Sequence, residues 1–134
     1  MAVVDASVWV SICHQGDVHH TRSRRWLERF LIKGIRMAAP NLIRVEVAAA
    51  VRRLTESDEI AADAAATLDS FEALELYDLT AERARRASRI ATMTGVRGAD
   101  AIYLELAADR CEELVTWDRQ QLERGRSLAR VGTP

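Results

Sequence analysis

The sequence predicts an α/β domain built on a mainly parallel sheet, and three observations carry that reading. Short apolar runs alternate along the chain with longer stretches whose apolar residues recur at helical spacing. Two of the short runs, Val3-Val4-Asp5 and Leu114-Val115-Thr116-Trp117-Asp118, end in an aspartate. Open parallel sheets bind ligands beyond the carboxyl ends of their strands, so both carboxylates fall at the functional edge. The 134 residues, nearly half of them hydrophobic, suit one domain with a substantial core.

Val3 and Val4 open a short buried strand, and Val8 to Cys13 begin a helix after Ser7. A polar loop through Gly16 leads to a helix from about His19 to Lys33. Its apolar residues Trp26, Leu27, Phe30 and Leu31 share one face, and Gly34 ends it. Met37 to Ala39 read as a second strand stopped by Pro40. Asn41 is a good N-cap for a helix to about Leu54. A further helix runs from about Ser57 to Phe71, and Leu74 to Leu79 alternates as a half-buried strand does. Thr80 caps a helix carrying Arg83, Arg85, Arg86 and Arg89 and closed by Gly95. After Gly98 comes a helix from about Ala99 to Ala108. Leu114 to Trp117 is a strand, Asp118 starts a short helix, and Ser127 to Val131 form a last strand. Strands and helices in alternation define the fold class.

A net charge of −1 announces neither a basic nucleic-acid tail nor an acidic disordered block. Lys33 is the single lysine among the basic residues. The arginine excess fits selection for bidentate phosphate contacts, or the codon usage of a GC-rich genome that the many alanines also suggest. Cys13 and Cys111 lack metal-ligand spacing and read as buried free thiols of a reducing compartment. No secretory leader pattern and no membrane-length apolar run is present, so a soluble, cytoplasmic protein is expected.

Two helices each carry one acid on an otherwise apolar face. Around Glu46, the residues one turn away are Leu42, Ile43, Ala49 and Ala50, while Arg44, Arg52 and Arg53 mark a charged face roughly half a turn round. A lone inward carboxylate costs several kcal/mol, of order, unless it is paired or bound to metal. A buried salt bridge is the structural alternative. Asp100 has Tyr103 and Leu104 beside it, with Glu105 and Asp109 towards the far side, and helix capping is its alternative. Asp5 and Asp118 have a similar one, a turn or cap after a strand. Together the four form a set that needs a counter-charge, and Mg²⁺ or Mn²⁺ supplies one to carboxylate oxygens.

Ser7 and Thr116 stand two residues from Asp5 and Asp118, where a hydroxyl can steady a carboxylate or simply serve a turn. His14, His19 and His20 read as solvated loop residues rather than ligands. Trp9, Trp26 and Trp117 read as core or interface rather than base-stacking platforms.

With these residues in view, the sequence resembles a PIN-domain ribonuclease, and most of all the VapC-type toxin of a toxin–antitoxin pair. The resemblance rests on Val3-Val4-Asp5-Ala6-Ser7, on Pro40 with Asn41-Leu42-Ile43-Arg44-Val45-Glu46-Val47, on Gly98-Ala99-Asp100-Ala101-Ile102-Tyr103, and on Leu114-Val115-Thr116-Trp117-Asp118. They match in type, order and spacing over nearly the whole chain. The resemblance implies a three-layer α/β/α sandwich and Mg²⁺- or Mn²⁺-dependent cleavage of RNA at Asp5, Glu46, Asp100 and Asp118. It also implies a homodimer and a small antitoxin that blocks the site. The apolar faces carrying Trp9, Trp26 and Phe30 are either core or a groove for an antitoxin helix. Many members carry another acid after the final aspartate. Here Arg119, Gln120 and Gln121 follow, which weakens the case for two tightly held metals but not for one.

A site that handles a polyanion needs flanking cations, and Arg22, Arg24, Arg25, Arg52, Arg53 and Arg97 lie on or near elements leading to the acids. Competing folds fit less well. A haloacid-dehalogenase-like phosphatase needs an aspartate where Ser7 stands, and a receiver domain needs a late lysine near a strand end. No glycine-rich phosphate loop is present. The non-enzymatic alternative is a PIN-like RNA- or protein-binding module whose site no longer cuts.

Overall fold

Five parallel strands form the centre of the molecule in the order β3-β2-β1-β4-β5. The structure, a computed structural model, describes residues 1–134. In chain order the elements are β1 (Ala2–Val4), α1 (Ala6–Cys13), α2 (His20–Ile32), β2 (Met37–Pro40), α3 (Ile43–Thr55), α4 (Asp58–Ser70), β3 (Leu74–Tyr77), α5 (Ala81–Thr94), α6 (Gly98–Arg110), β4 (Glu113–Val115), α7 (Arg119–Arg124) and β5 (Arg130–Gly132). A 3₁₀ turn, Gly125–Ser127, separates α7 from β5.

β1 is the middle strand, with Val3 opposite Ala38 of β2 on one side and Leu114 of β4 on the other. Its alanine and valines are buried on both faces, as a parallel strand covered by helices requires. One group of helices packs α1 on α2 and α3, and α3 on α4. The other packs α6 on α5 and across β1, β2 and β4. The result is the expected three-layer α/β/α sandwich, with a sheet parallel throughout. The switch between β2 and β4 on either side of β1 sets the crevice where a ligand binds.

Several helix ends follow the sequence reading. Ser57 accepts a hydrogen bond from the Ile60 N–H, and Thr80 accepts one from the Arg83 N–H. Gly95 closes α5 at φ +68°, a left-handed conformation that glycine adopts without strain. Other ends differ. Pro40 is the last residue of β2, opposite Tyr77, rather than its stop signal. The N–H groups of Met37 and Asn41 both point to β3, so by strand alternation Pro40 faces β1. There β1 has already turned into α1, and no ladder bond is lost. Asn41 does not cap α3, which starts two residues later. Its side chain instead joins Asp78 and Arg44. β3 stops at Tyr77, and β4 stops at Val115 because the Trp117 N–H is captured by the Ser7 hydroxyl. The last strand is confined to Arg130–Gly132 by the 3₁₀ turn before it.

Both cysteines are exposed, not buried, because Cys13 ends α1 and Cys111 is the C-cap of α6. Trp9 and Trp26 are core, and Phe30 packs against Trp26 at 4.3 Å. Packing takes most of their surface, although Trp9 also lines a groove with Leu27 and Phe71. No helix is long and apolar enough to cross a membrane.

Glu105 departs most from its reading as a far-side residue. It is 2% exposed and ties α6 to α5 through Arg83 (3.0 Å) and Arg86 (2.7 Å). Removing one partner of a buried pair leaves uncompensated charge. Glu105→Ala is expected to lower unfolding free energy by about 3 kcal/mol, the low end for such a break, since both arginines can rehydrate. Glu82→Ala removes only an exposed contact to Arg86 and should cost under about 0.5 kcal/mol. Urea unfolding of the two variants checks the contrast, and equal small losses would refute it.

Candidate active site

Asp5 leaves the end of β1 and caps α1. Its Oδ2 accepts hydrogen bonds from the Ser7 N–H at 3.0 Å, the Ser7 hydroxyl at 2.5 Å and the Thr116 hydroxyl at 3.1 Å. Its Oδ1 accepts one from Gln121 Nε2 at 3.0 Å. The carboxylate is 5% exposed. Burial pushes its pKa above the ordinary range, and the hydrogen bonds from Ser7, Gln121 and Thr116 pull it part of the way back.

Asp118 caps α7, its Oδ1 accepting from the N–H groups of Gln120 and Gln121 at 2.8 and 3.1 Å. Thr116 links this acid to the first, because its hydroxyl donates to Asp5 and accepts from the Asp118 N–H at 2.9 Å. The capping alternative thus holds for Asp5 and Asp118, yet capping consumes only part of each carboxylate. Both still line one open cleft of about 460 Å³ together with Glu46 and Asp100.

Asp100 is not a cap. That position belongs to Arg97, which makes no side-chain cap bond. Asp100 is 5% exposed and accepts from Gln121 Nε2 at 3.0 Å and Arg97 Nε at 2.9 Å. One amide nitrogen therefore holds Asp5 and Asp100 together. Arg97 also donates through Nη2 to Asp118 at 2.5 Å, so one guanidinium bridges two acids. This pairing raises the arginine's own pKa further, chiefly through the hydrogen bond to Asp100.

Glu46 is half-buried and pairs with no arginine. Its Oε2 accepts a 2.6 Å hydrogen bond from the fully buried Tyr103 hydroxyl. Burial raises its pKa, the Tyr103 bond opposes the rise, and the negative fields of Asp5 and Asp100 add to it. Burial, with the negative fields of Asp5 and Glu46, drives the Tyr103 phenol well above its ordinary value, so it remains a donor.

Among the candidate cations, Arg97 and Arg53 line the cleft. Arg53 is not across the helix from Glu46. Seven residues make nearly two full turns, so the two share a face. Arg22 lies with its guanidinium 4.9 Å from the Trp117 ring centroid and donates to the Pro134 carbonyl at 3.1 Å. Arg24 lines a separate groove with Trp9 and Leu27, Arg25 is exposed on α2, and Arg52 pairs with Asp58. The structure places none of these three on the cleft. Sequence reasoning missed Gln121, Tyr103 as a hydrogen-bond donor, and His19, which lines the cleft. For Gln121 a signal existed. It sits three residues after Asp118 on a short helix, hence on the same face.

The four acids offer carboxylate oxygens, the donor that hard divalent cations prefer. As the side chains stand, no three His, Cys, Asp or Glu residues are drawn closely enough together to hold an ion. The Gln121 amide and the Arg97 guanidinium lie between them. The donor chemistry fits a divalent cation, while Arg97 supplies the local counter-charge.

A parallel α/β/α sandwich with four acids around the crevice beside its middle strand defines an acidic-site class of domain. The PIN domain family model matches residues 2–126, and the chain belongs to that family. Among solved structures it is similar to VapC20 of Mycobacterium tuberculosis, described as a sarcin–ricin loop cleaving toxin. The identity is 18%, the TM-score 0.77, and the match covers 89% of this chain and 91% of that one. It is also similar to VapBC2 from Rickettsia felis bound to a promoter DNA fragment, at 15% identity and TM-score 0.74, covering 99% and 98%. DNA-bound VapBC from Salmonella typhimurium matches at 18% identity and TM-score 0.69, covering 99% and 98%. At these identities the likeness is one of fold. No curated protein matches the chain by sequence.

Asp5 and Glu46 titrate higher when folded than when unfolded. The folded state then binds more protons in the window above the ordinary carboxylate pKa. Their contribution is most favourable below that pKa and is lost as pH rises through the raised values. Glu46→Gln keeps an acceptor for Tyr103 but cannot ionise. Its melting temperature should exceed that of the wild type at neutral pH, and the advantage should disappear in acid. Thermal unfolding across the pH range checks this, and a pH-independent difference would contradict it.

Proposed function

We propose that this chain is a metal-dependent endoribonuclease and the toxin of a toxin–antitoxin pair. One observation carries the reading: Asp5, Glu46, Asp100 and Asp118, from distant parts of the chain, line a single open cleft. Membership of the PIN family and likeness in fold to VapC20 and the VapBC complexes support it.

Asp5, Glu46, Asp100 and Asp118 would hold one Mg²⁺ or Mn²⁺, which when bound supplies a Lewis acid and a water of lowered pKa. The positioning falls to the chain itself. Ser7, Thr116 and Gln121 fix Asp5, and Gln121 also fixes Asp100. Tyr103 occupies Oε2 of Glu46 and leaves Oε1 to face the ion or its water. The water oxygen bonds to phosphorus as the bond to the 3′ oxygen breaks. The products are a 5′-phosphate and, once the leaving oxygen is protonated, a 3′-hydroxyl. The Arg97 side chain is 64% exposed, so it can leave the acids and stabilise charge on the phosphoryl oxygens. Arg53, which lines the cleft, would contact the substrate backbone.

The partner is a small antitoxin that sets an arginine or lysine among the same carboxylates, and the toxin itself pairs as a homodimer. A second reading is a PIN-like binding module that no longer cuts. The bridging of Asp100 and Asp118 by Arg97 favours it, because an internal cation already satisfies both acids.

One set of assays separates the two. The purified protein should cleave single-stranded RNA with Mn²⁺ or Mg²⁺ and stop in EDTA. Asp5→Ala and Asp100→Asn should each lose about 10³-fold or more in rate, and Arg97→Ala about 10²-fold. Undiminished cleavage in EDTA, or a 2′,3′-cyclic phosphate product, would overturn the metal-assisted mechanism. RNA binding with no cleavage under any metal would favour the silent module. Expression alone should arrest growth, with relief by Asp5→Ala.

A further inference from the structure

We propose that His19 and Trp117 form a nucleobase subsite, on which one base of a single-stranded RNA stacks beside the bond that is cut. The proposal takes its substrate from the nuclease reading but stands on a different observation. The imidazole of His19 lies flat on the Trp117 indole, with ring centroids 3.8 Å apart and planes inclined by 7°. Both rings line the same cleft as the four acids.

The platform is rigid. The Trp117 backbone N–H donates to the Ser7 hydroxyl at 3.0 Å, and its indole Nε1 donates to the Ser23 hydroxyl at 2.9 Å. Ser23 is fully buried and accepts a second bond, at 2.6 Å, from the hydroxyl of Ser11. The indole is therefore pinned from both ends. His19 is pinned through its backbone, whose N–H donates to Asp17 Oδ1 at 2.7 Å. Although His19 occupies the cap position of α2, its side chain makes no cap bond. Both residues are half-buried, and neither belongs to the fully buried core. Trp117 packs against the core from outside it, while the His19 ring completes no helix end.

Chemistry and distance select the ligand. Unpaired bases of RNA stack on tryptophan and histidine rings, largely without regard to sequence. Trp117 immediately precedes Asp118, and adjacent Cα atoms are about 3.8 Å apart. A base on this platform therefore belongs to a nucleotide at or next to the phosphate held by the acids. The Arg22 guanidinium, 4.9 Å from the same indole, adds positive charge beside the stack.

Two measurements test the subsite independently of one another. In the first, short RNAs carrying one 2-aminopurine at successive positions are bound to Asp100→Asn protein. One position should be strongly quenched. His19→Phe in that background should preserve the quench and His19→Leu should abolish it, with thermal unfolding showing that both variants are folded. In the second, RNAs with one abasic residue at successive positions are cleaved by proteins with an intact Asp100. Loss of one base near the cut should raise KM about tenfold for wild type and His19→Phe, and have little effect for His19→Leu. If wild type cleaves no RNA but the quench follows the aromatic residue, the subsite stands and the nuclease reading falls. If cleavage is normal, no position is quenched, and His19→Leu matches wild type at every abasic position, the subsite is refuted and the nuclease reading stands. If neither variant folds, Trp117→Phe against Trp117→Leu repeats both measurements.

Discussion

The buried carboxylate of Asp5 is the constraint on which the rest of the site depends. A charge at the end of the middle strand is tolerable only if its oxygens are satisfied. Donors from three parts of the chain satisfy it: Ser7 in α1, Thr116 after β4, and Gln121 in α7. Meeting that requirement draws α7 over the edge of the sheet and fixes Asp118, which caps it. The same Gln121 nitrogen then reaches Asp100 on α6. Gly125 lets α7 settle there, since a Cβ at that position would lie 2.5 Å from Leu104. One difficult burial thus organises three elements.

The balance of charge within the cleft follows from the same geometry. Glu46 faces the fields of Asp5 and Asp100, and Tyr103 offers it a neutral hydrogen bond rather than a compensating charge. Arg97 is the exposed cation, bonded to two acids yet largely in solvent. A site arranged this way is stable with its own arginine in place and receptive to any stronger cation that displaces it. A metal ion and a basic side chain from an inhibitor would compete for the same carboxylates.

Much of this was legible in the sequence, because certain signals act locally. Ser57, Thr80 and Gly95 announce helix ends through interactions within a few residues. The four acids announce themselves because a carboxylate at a strand end or on an apolar helix face conflicts with its neighbours. The missed features depend on distant partners. Glu105 looked solvated until α5 brought Arg83 and Arg86 to it. Asn41 looked like a cap until β3 brought Asp78 beside it. His19 looked like a loop residue because Trp117, the ring it covers, lies far along the chain. Arg53 was legible in the sequence itself, because seven residues past Glu46 return to the same helix face, and it lines the cleft.

The chain order of the acids governs how the cleft is assembled during synthesis. The first, Asp5, emerges near the start of the chain, and Thr116, which bonds to it, lies 111 residues later. β4 can pair with β1 only after the intervening helices have been made. Contacts of such separation form late and slowly in folding. A ribosome-bound fragment lacking α7 would hold neither Asp118 nor the amide that joins Asp5 to Asp100. The cleft is therefore assembled late, after nearly the whole chain has been made, and an incomplete chain lacks the parts that close it.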